Sequence, residues 1–153
     1  MNMRETAVEE FSFKGMGQVV SFSKTVAESD IYLFAGITGD FSPNHVNEKF
    51  MRSTQLGRRI AHGALLVGYM STASTMAAER CTEPGARFYP VSLGYDRVRF
   101  TKPVFINDTI TVTYRIDSYD RAKKRSMANV ELVGDSGELC AVATHLMAWI
   151  QRT

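Results

Sequence analysis

The sequence predicts an α+β fold, a curved antiparallel β-sheet wrapped around one long α-helix, and three observations predict it. Residues 61–78 contain no proline and spread Leu65, Leu66, Val67, Tyr69, Met70, Ala73, Met76 and Ala77 around most of a helical circumference, the pattern of a buried helix. Beyond Glu83-Pro84-Gly85 the chain reads as four strands separated by turns. One further strand-like segment precedes the helices. A helix and a set of strands that each carry apolar faces bury them most simply against one another, in two layers.

The elements follow in order. Residues 17–26 are rich in β-branched and aromatic side chains and partly alternate, which predicts a first strand. A helix is expected over 29–37, where Ile31, Leu33, Phe34 and Ile37 fall near helical spacing, with Ser29 or Asp30 to cap it and Gly36 and Gly39 to weaken or end it. Residues 38–47, punctuated by Gly39, Pro43, Asn44 and Asn47, read as a loop of fixed shape. Asn47 can cap a short helix over 48–51, and Gly57-Arg58-Arg59 makes a connection to the long helix. On that helix the polar residues Ser71, Thr72, Ser74 and Thr75 are small enough to let a sheet approach. Strands are then predicted over 91–100, 108–118, 126–133 and 139–150. The second shows period-two alternation of Ile110, Val112, Tyr114 and Ile116, and the last two form a hairpin about Gly134-Asp135-Ser136-Gly137.

Composition narrows the function classes. At 153 residues, 44% hydrophobic and 22% charged, the chain has the make-up of a single globular domain and not of a disordered one. We read 1–16 as a flexible or loosely packed head and 17–153 as one domain. A net charge of +2, with no basic run interleaved with aromatics, argues against nucleic acid as a partner. No apolar run reaches membrane-spanning length and no secretory signal pattern opens the chain. Cys81 and Cys140 stand far apart in no metal-like spacing, and with the other features they suggest buried thiols in a cytoplasmic protein.

The stretch that carries chemistry is Gly39-Asp40-Phe41-Ser42-Pro43-Asn44-His45, followed by Ala61-His62-Gly63-Ala64-Leu65-Leu66. It sets a carboxylate and an imidazole five residues apart around a proline that fixes its own φ and holds Ser42 extended. A glycine then stands where the long helix should begin, and the first N–H groups of a helix have no partner within it. Such an arrangement suits proton transfer beside a carbonyl group, with Asp40 and His45 as acid and base and the Gly63 N–H as donor to an oxyanion. The plainer reading of the same residues is an Asp that caps a neighbouring N–H and a hydrogen-bonded His. A metal site is disfavoured, because the other histidines are His62 and His145 and no second carboxylate stands at ligand spacing. His62 reads as a support for the helix start, and His145, in the last strand, as a packed and satisfied histidine.

Tyr32-Leu33-Phe34-Ala35-Gly36-Ile37-Thr38-Gly39-Asp40-Phe41-Ser42-Pro43-Asn44-His45, with Arg59-Ile60-Ala61-His62-Gly63, resembles the signature of the MaoC-like, (R)-specific enoyl-CoA hydratases. The resemblance implies the hot-dog fold, which agrees with the elements above. It implies the reaction trans-2-enoyl-CoA plus water to (R)-3-hydroxyacyl-CoA, or its reverse, a hydro-lyase activity with coenzyme A entering in the substrate and no other cofactor. It places the catalytic roles on Asp40, His45 and Gly63, and substrate contacts on Ser71, Phe41 and Asn44. Ser42 and Asn44 depart from the family's usual Asn and aliphatic residue, which bears on substrate choice. The resemblance also implies a homodimer with a continuous sheet. An acyl-CoA thioesterase and a non-catalytic acyl-thioester-binding subunit are the alternatives on the same fold. Arg58, Arg59 and the cluster Arg121, Lys123, Lys124 and Arg125 are candidates to meet coenzyme A phosphates.

Overall fold

The computed structural model describes residues 11–153, so most of the head expected over 1–16 lies outside the described residues. The element order is β1 (Val19–Thr25), α1 (Glu28–Thr38), α2 (Pro43–Val46), α3 (Glu48–Arg52), α4 (Gly63–Cys81), β2 (Phe88–Phe100), β3 (Thr109–Asp120), β4 (Arg125–Val133) and β5 (Leu139–Gln151). The strands form one antiparallel five-stranded sheet in the order β1-β3-β4-β5-β2, and α4 lies against it.

The alternation expected in β3 sets the core. Ile110, Val112, Tyr114 and Ile116 are buried on one face with Ala128, Val130 and Leu132 of β4 and Ala141 and Ala143 of β5. Leu66, Met70, Ala73 and Ala77 of α4 close this core at intervals of three and four residues, the spacing of one helical face. The helix begins two residues later than expected and continues to Cys81. Its burial is also less complete than the sequence suggests: Ala64, Gly68, Ser71, Thr72 and Thr75 are exposed, because the sheet covers only one side of it.

The local signals at the helix ends are met with one change. Asn47 caps α3 by accepting the Phe50 N–H at 2.9 Å, and Gly39 ends α1 with φ 82°. At the start of α1 the flanking residue is Ala27, and Asp30 reaches back from inside the first turn to accept the Ala27 N–H at 2.9 Å. The same carboxylate takes Lys24 of β1 at 2.7 Å and the Tyr69 hydroxyl of α4 at 3.2 Å, tying α1 to both layers.

β2 starts at Phe88 and includes Pro90, which a strand paired on one side only can accommodate. At the beginning of the described chain, Phe11 and Phe13 pack with Phe88, Tyr119 and Trp149 in a second, aromatic cluster. Cys81 and Cys140 are free thiols, half-buried and buried, and burial raises the pKa of both.

Candidate active site

The site is built where the turn after α1 meets the residues leading into α4. Gly39 adopts the left-handed conformation that stops α1, its N–H bonding the Ala35 carbonyl at 2.8 Å, and the chain leaves the helix at Asp40. Asp40 then organises its own loop: its N–H meets the Thr38 hydroxyl at 3.3 Å and its carboxylate accepts the Ser42 N–H at 3.2 Å. Ser42 is extended, with ψ 137°, as the following proline requires, and Pro43 starts the single turn α2. The stretch expected to be a loop over 38–47 thus ends in a helical turn, and that turn carries His45 inward to 9% exposure while Asp40 stays at the surface.

Ile60 is the clamp. Its N–H donates to the Asn44 carbonyl at 3.0 Å and its own carbonyl accepts from His45 Nδ1 at 2.8 Å. Ile60 is in turn bridged to Phe105, and Ala61 donates to the Val104 carbonyl at 2.8 Å, so the clamp is anchored to the segment between β2 and β3. A carbonyl oxygen only accepts, so in the neutral ring Nδ1 of His45 carries the hydrogen and Nε2 keeps a lone pair. That is the tautomer a base facing a cavity needs.

The cavity beside it is about 290 Å³ and is lined by His45, Gly63, Leu66, Phe100, Lys102 and Val104 among others. Gly63 is the first residue of α4, with its N–H outside the intrahelical ladder. Its backbone is helical, so the glycine serves space: a Cβ there would come within 2.6 Å of the Phe100 ring. One carboxylate oxygen of Asp40 and one ring nitrogen each of His45 and His62 lie within 4.8 Å of one another. The rings of His45 and His62 are stacked, centroids 3.7 Å apart and planes at 28°. The structure thus adds His62 to Asp40 and His45 as a group of three side chains able to offer ligand atoms to an ion, a closeness that the sequence spacing does not show.

The remaining expected residues are placed as follows. Phe41 (58% exposed) and Asn44 sit on the same loop as the acid and the imidazole, at the surface. Ser71 is exposed two turns further along α4 and lines a separate depression with Ser74, Thr75, Ser92 and Met147; the single chain does not bring it to His45. Arg59 is engaged with Glu28, Glu48 (3.1 Å) and the Tyr32 hydroxyl (3.1 Å), its side chain only 12% exposed, so it fastens α1 to α3 and is not free for a phosphate. Those contacts raise its pKa, the bond to Glu28 most of all, against the lowering effect of burial. Arg58 lies over the Phe105 ring at 3.8 Å, and in the β3–β4 turn Lys123 pairs with Asp120 at 3.8 Å.

His145 is the satisfied core histidine expected: fully buried, it meets the Tyr114 hydroxyl at Nδ1 (2.7 Å) and the Ser92 hydroxyl at Nε2 (2.8 Å), and burial lowers its pKa to about 4. His62, beside Asp40 and His45, and Phe100 and Lys102, in the cavity with His45, are neighbours that the sequence reading does not assign to the site. His62 had a signal in standing next to Gly63. Phe100 and Lys102 had none, being brought to the cavity by the far end of β2.

Residues 12–135 match the family model described as "MaoC like domain". The chain is 42% identical to an (R)-specific enoyl-CoA hydratase of Rhodospirillum rubrum over 108 residues, 71% of this chain and 69% of that protein. It is 32% identical over 121 residues to a 3-hydroxybutyryl-CoA dehydratase of Methylorubrum extorquens, 78% of this chain and 72% of the relative. Among solved structures it resembles the (R)-hydratase from A. caviae, with TM-score 0.74 and 22% identity over 92% of this chain and 98% of that one, a likeness of fold. The R-hydratase PhaJ1 from Pseudomonas aeruginosa gives TM-score 0.70 at 26% identity, covering 90% of this chain and 87% of that one. This chain belongs to the MaoC-like domain family, and its fold is the hot-dog fold.

Proposed function

We propose that this protein is a hydro-lyase that adds water to trans-2-enoyl-CoA to give (R)-3-hydroxyacyl-CoA, or runs the reverse dehydration. The observation that carries the reading is the tautomer of His45, whose Nδ1 bond to the Ile60 carbonyl leaves Nε2 as the nitrogen free to exchange a proton, on a residue that lies beside Asp40 and lines a cavity with Gly63. The names of the relatives, an enoyl-CoA hydratase and a 3-hydroxybutyryl-CoA dehydratase, support the substrate class.

Water held between Asp40 and His45 loses one proton to the pair as its oxygen bonds to the β-carbon. The π-electrons move toward the thioester, and the charge that develops on its oxygen is met by the Gly63 N–H at the positive end of α4. The pair then delivers one proton to the α-carbon, so the sum is addition of H and OH across the double bond. No cofactor is called for beyond the coenzyme A of the substrate. Phe41 and Asn44, on the loop that carries the acid, meet the acyl group.

A homodimer completes the site in this reading. β2 is an edge strand of 13 residues with Tyr89, Val91 and Leu93 at 39%, 36% and 48% exposure, and an edge of that length and character pairs. The exposed face of α4 with Ser71 lies beside β2 and would be covered by a second subunit paired on that edge.

The test is turnover of crotonyl-CoA, followed by loss of conjugated absorbance with chiral analysis of the product. The wild type should form the (R)-3-hydroxy product, and Asp40→Asn and His45→Gln should each lower kcat by roughly 10²–10⁴-fold, the usual worth of general acid–base catalysis. Release of free thiol without hydration would point to a thioesterase instead. Full turnover by both variants would remove the dyad from the mechanism.

A further inference from the structure

We infer that His62 is a positioning residue for this site, holding Asp40, His45 and Gly63 in register from one side chain and its backbone. The inference rests on the hydration reading for its kinetic consequence, but its geometry stands apart from it.

His62 touches each of the three. Its Nε2 lies 3.0 Å from the Asp40 carbonyl, 22 residues earlier in the chain. Its ring stacks on His45 at 3.7 Å, with the ring of Phe34 4.8 Å away. Its backbone is the N-cap of α4, so its carbonyl accepts the Leu65 N–H at 3.1 Å and the Leu66 N–H at 3.3 Å and fixes the turn that presents Gly63. Because the Asp40 carbonyl can only accept, Nε2 of His62 carries the hydrogen and Nδ1 keeps its lone pair.

That lone pair is unmet. The residue is 1% exposed and Nδ1 has no hydrogen-bond partner. A buried polar atom left unmet disfavours the folded state, and a hydrocarbon side chain would fill the space without that penalty. The ring is therefore explained by its other nitrogen and its face: the donor that ties down Asp40 and the flat surface that holds His45 to one orientation. His45 is fixed at one edge by Ile60 and on one face by His62, which leaves the Nε2 edge for the reaction. His62 itself exchanges no proton with substrate in this scheme.

Two substitutions separate the donor from the ring. His62→Gln can place an amide N–H near the position of Nε2, whereas His62→Phe keeps a flat ring for stacking and removes the donor. The expected result is that His62→Phe lowers kcat on crotonyl-CoA by roughly 10²-fold, the effect of slight misplacement of a catalytic group, with KM little changed, and that His62→Gln recovers the part of the loss that belongs to the donor. Independently of activity, ¹⁵N NMR of the wild-type imidazoles should show His62 as the Nε2–H tautomer and His45 as the Nδ1–H tautomer; the chain has three histidines, so the signals can be assigned by single substitutions.

An Nδ1–H tautomer at His62, wild-type kcat in His62→Phe, or a loss confined to KM would each overturn the inference. If the variants do not fold, the wild-type tautomers decide it. If the wild type hydrates no enoyl-CoA, the hydration reading fails, and the tautomers still test the bond to Asp40.

Discussion

Gly63→Ala is the sharpest perturbation the site offers, because it adds one methyl group and leaves the side chains of Asp40 and His45 in place. The new Cβ would stand 2.6 Å from Cε2 and 2.7 Å from Cζ of Phe100, too close for either to remain where it is. Phe100 is 52% exposed, so its ring can swing away and the crowding falls at the lower end of the roughly 1–3 kcal/mol that overpacking costs. Alanine at a helical position is favoured over glycine by about 0.5–1 kcal/mol, which offsets much of that. The folded state should therefore change little, with Tm within a few degrees of wild type. Catalysis should change a great deal. The methyl and the displaced ring occupy the approach to the Gly63 N–H, and loss of one such donor is worth about 10²-fold in rate, or ~2.7 kcal/mol of barrier. The assay is kcat/KM on crotonyl-CoA beside a thermal melt. Phe100→Ala in the Gly63→Ala background should restore any lost stability and leave the rate low. If Gly63→Ala retains kcat/KM within about threefold of wild type, the Gly63 N–H is not the oxyanion donor.

Two further perturbations test the scaffold. The pKa of His145, lowered to about 4 by burial against an ordinary value near 6.5, makes stability fall as pH drops from about 6.5 toward 4, because over that window the unfolded chain takes up a proton that the folded chain refuses. By pH 5 this amounts to roughly 2 kcal/mol. Urea melts of wild type and His145→Gln at pH 7 and pH 5 should show the variant losing less stability between the two; equal losses would mean that His145 is not the group responsible. Leu93→Lys, on the free edge of the sheet, should shift the sedimentation of a dimer toward monomer at micromolar concentration, and an unshifted dimer would place the interface elsewhere.

The sequence by itself determined whatever depends on neighbouring residues. The alternation of Ile110, Val112, Tyr114 and Ile116 assigns one face of β3 to the core, since side chains on a strand point to opposite faces in turn. Gly39 ends α1 and Asn47 caps α3 for reasons contained within a few residues of each. The spacing of Asp40 and His45 about Pro43 was legible in the same way, because proline limits the backbone on both sides of itself.

Tertiary structure decided what lies between segments far apart in the chain. β2 follows α4 directly yet pairs with β5 at the sheet edge, and its far end brings Phe100 against Gly63. α4 looks apolar all round in sequence, but a single sheet covers one face and leaves Ser71 outside the His45 cavity. Arg59, a plausible phosphate ligand by charge alone, is held by Glu28 and Tyr32 of α1 and Glu48 of α3. His62 reads as a plain helix-start residue until the fold lays its ring on His45 and its Nε2–H on Asp40. Periodicity and capping act through bonds and contacts a few residues long, whereas stacking, ion pairing and cavity shape depend on where separate elements are packed, which no local pattern encodes.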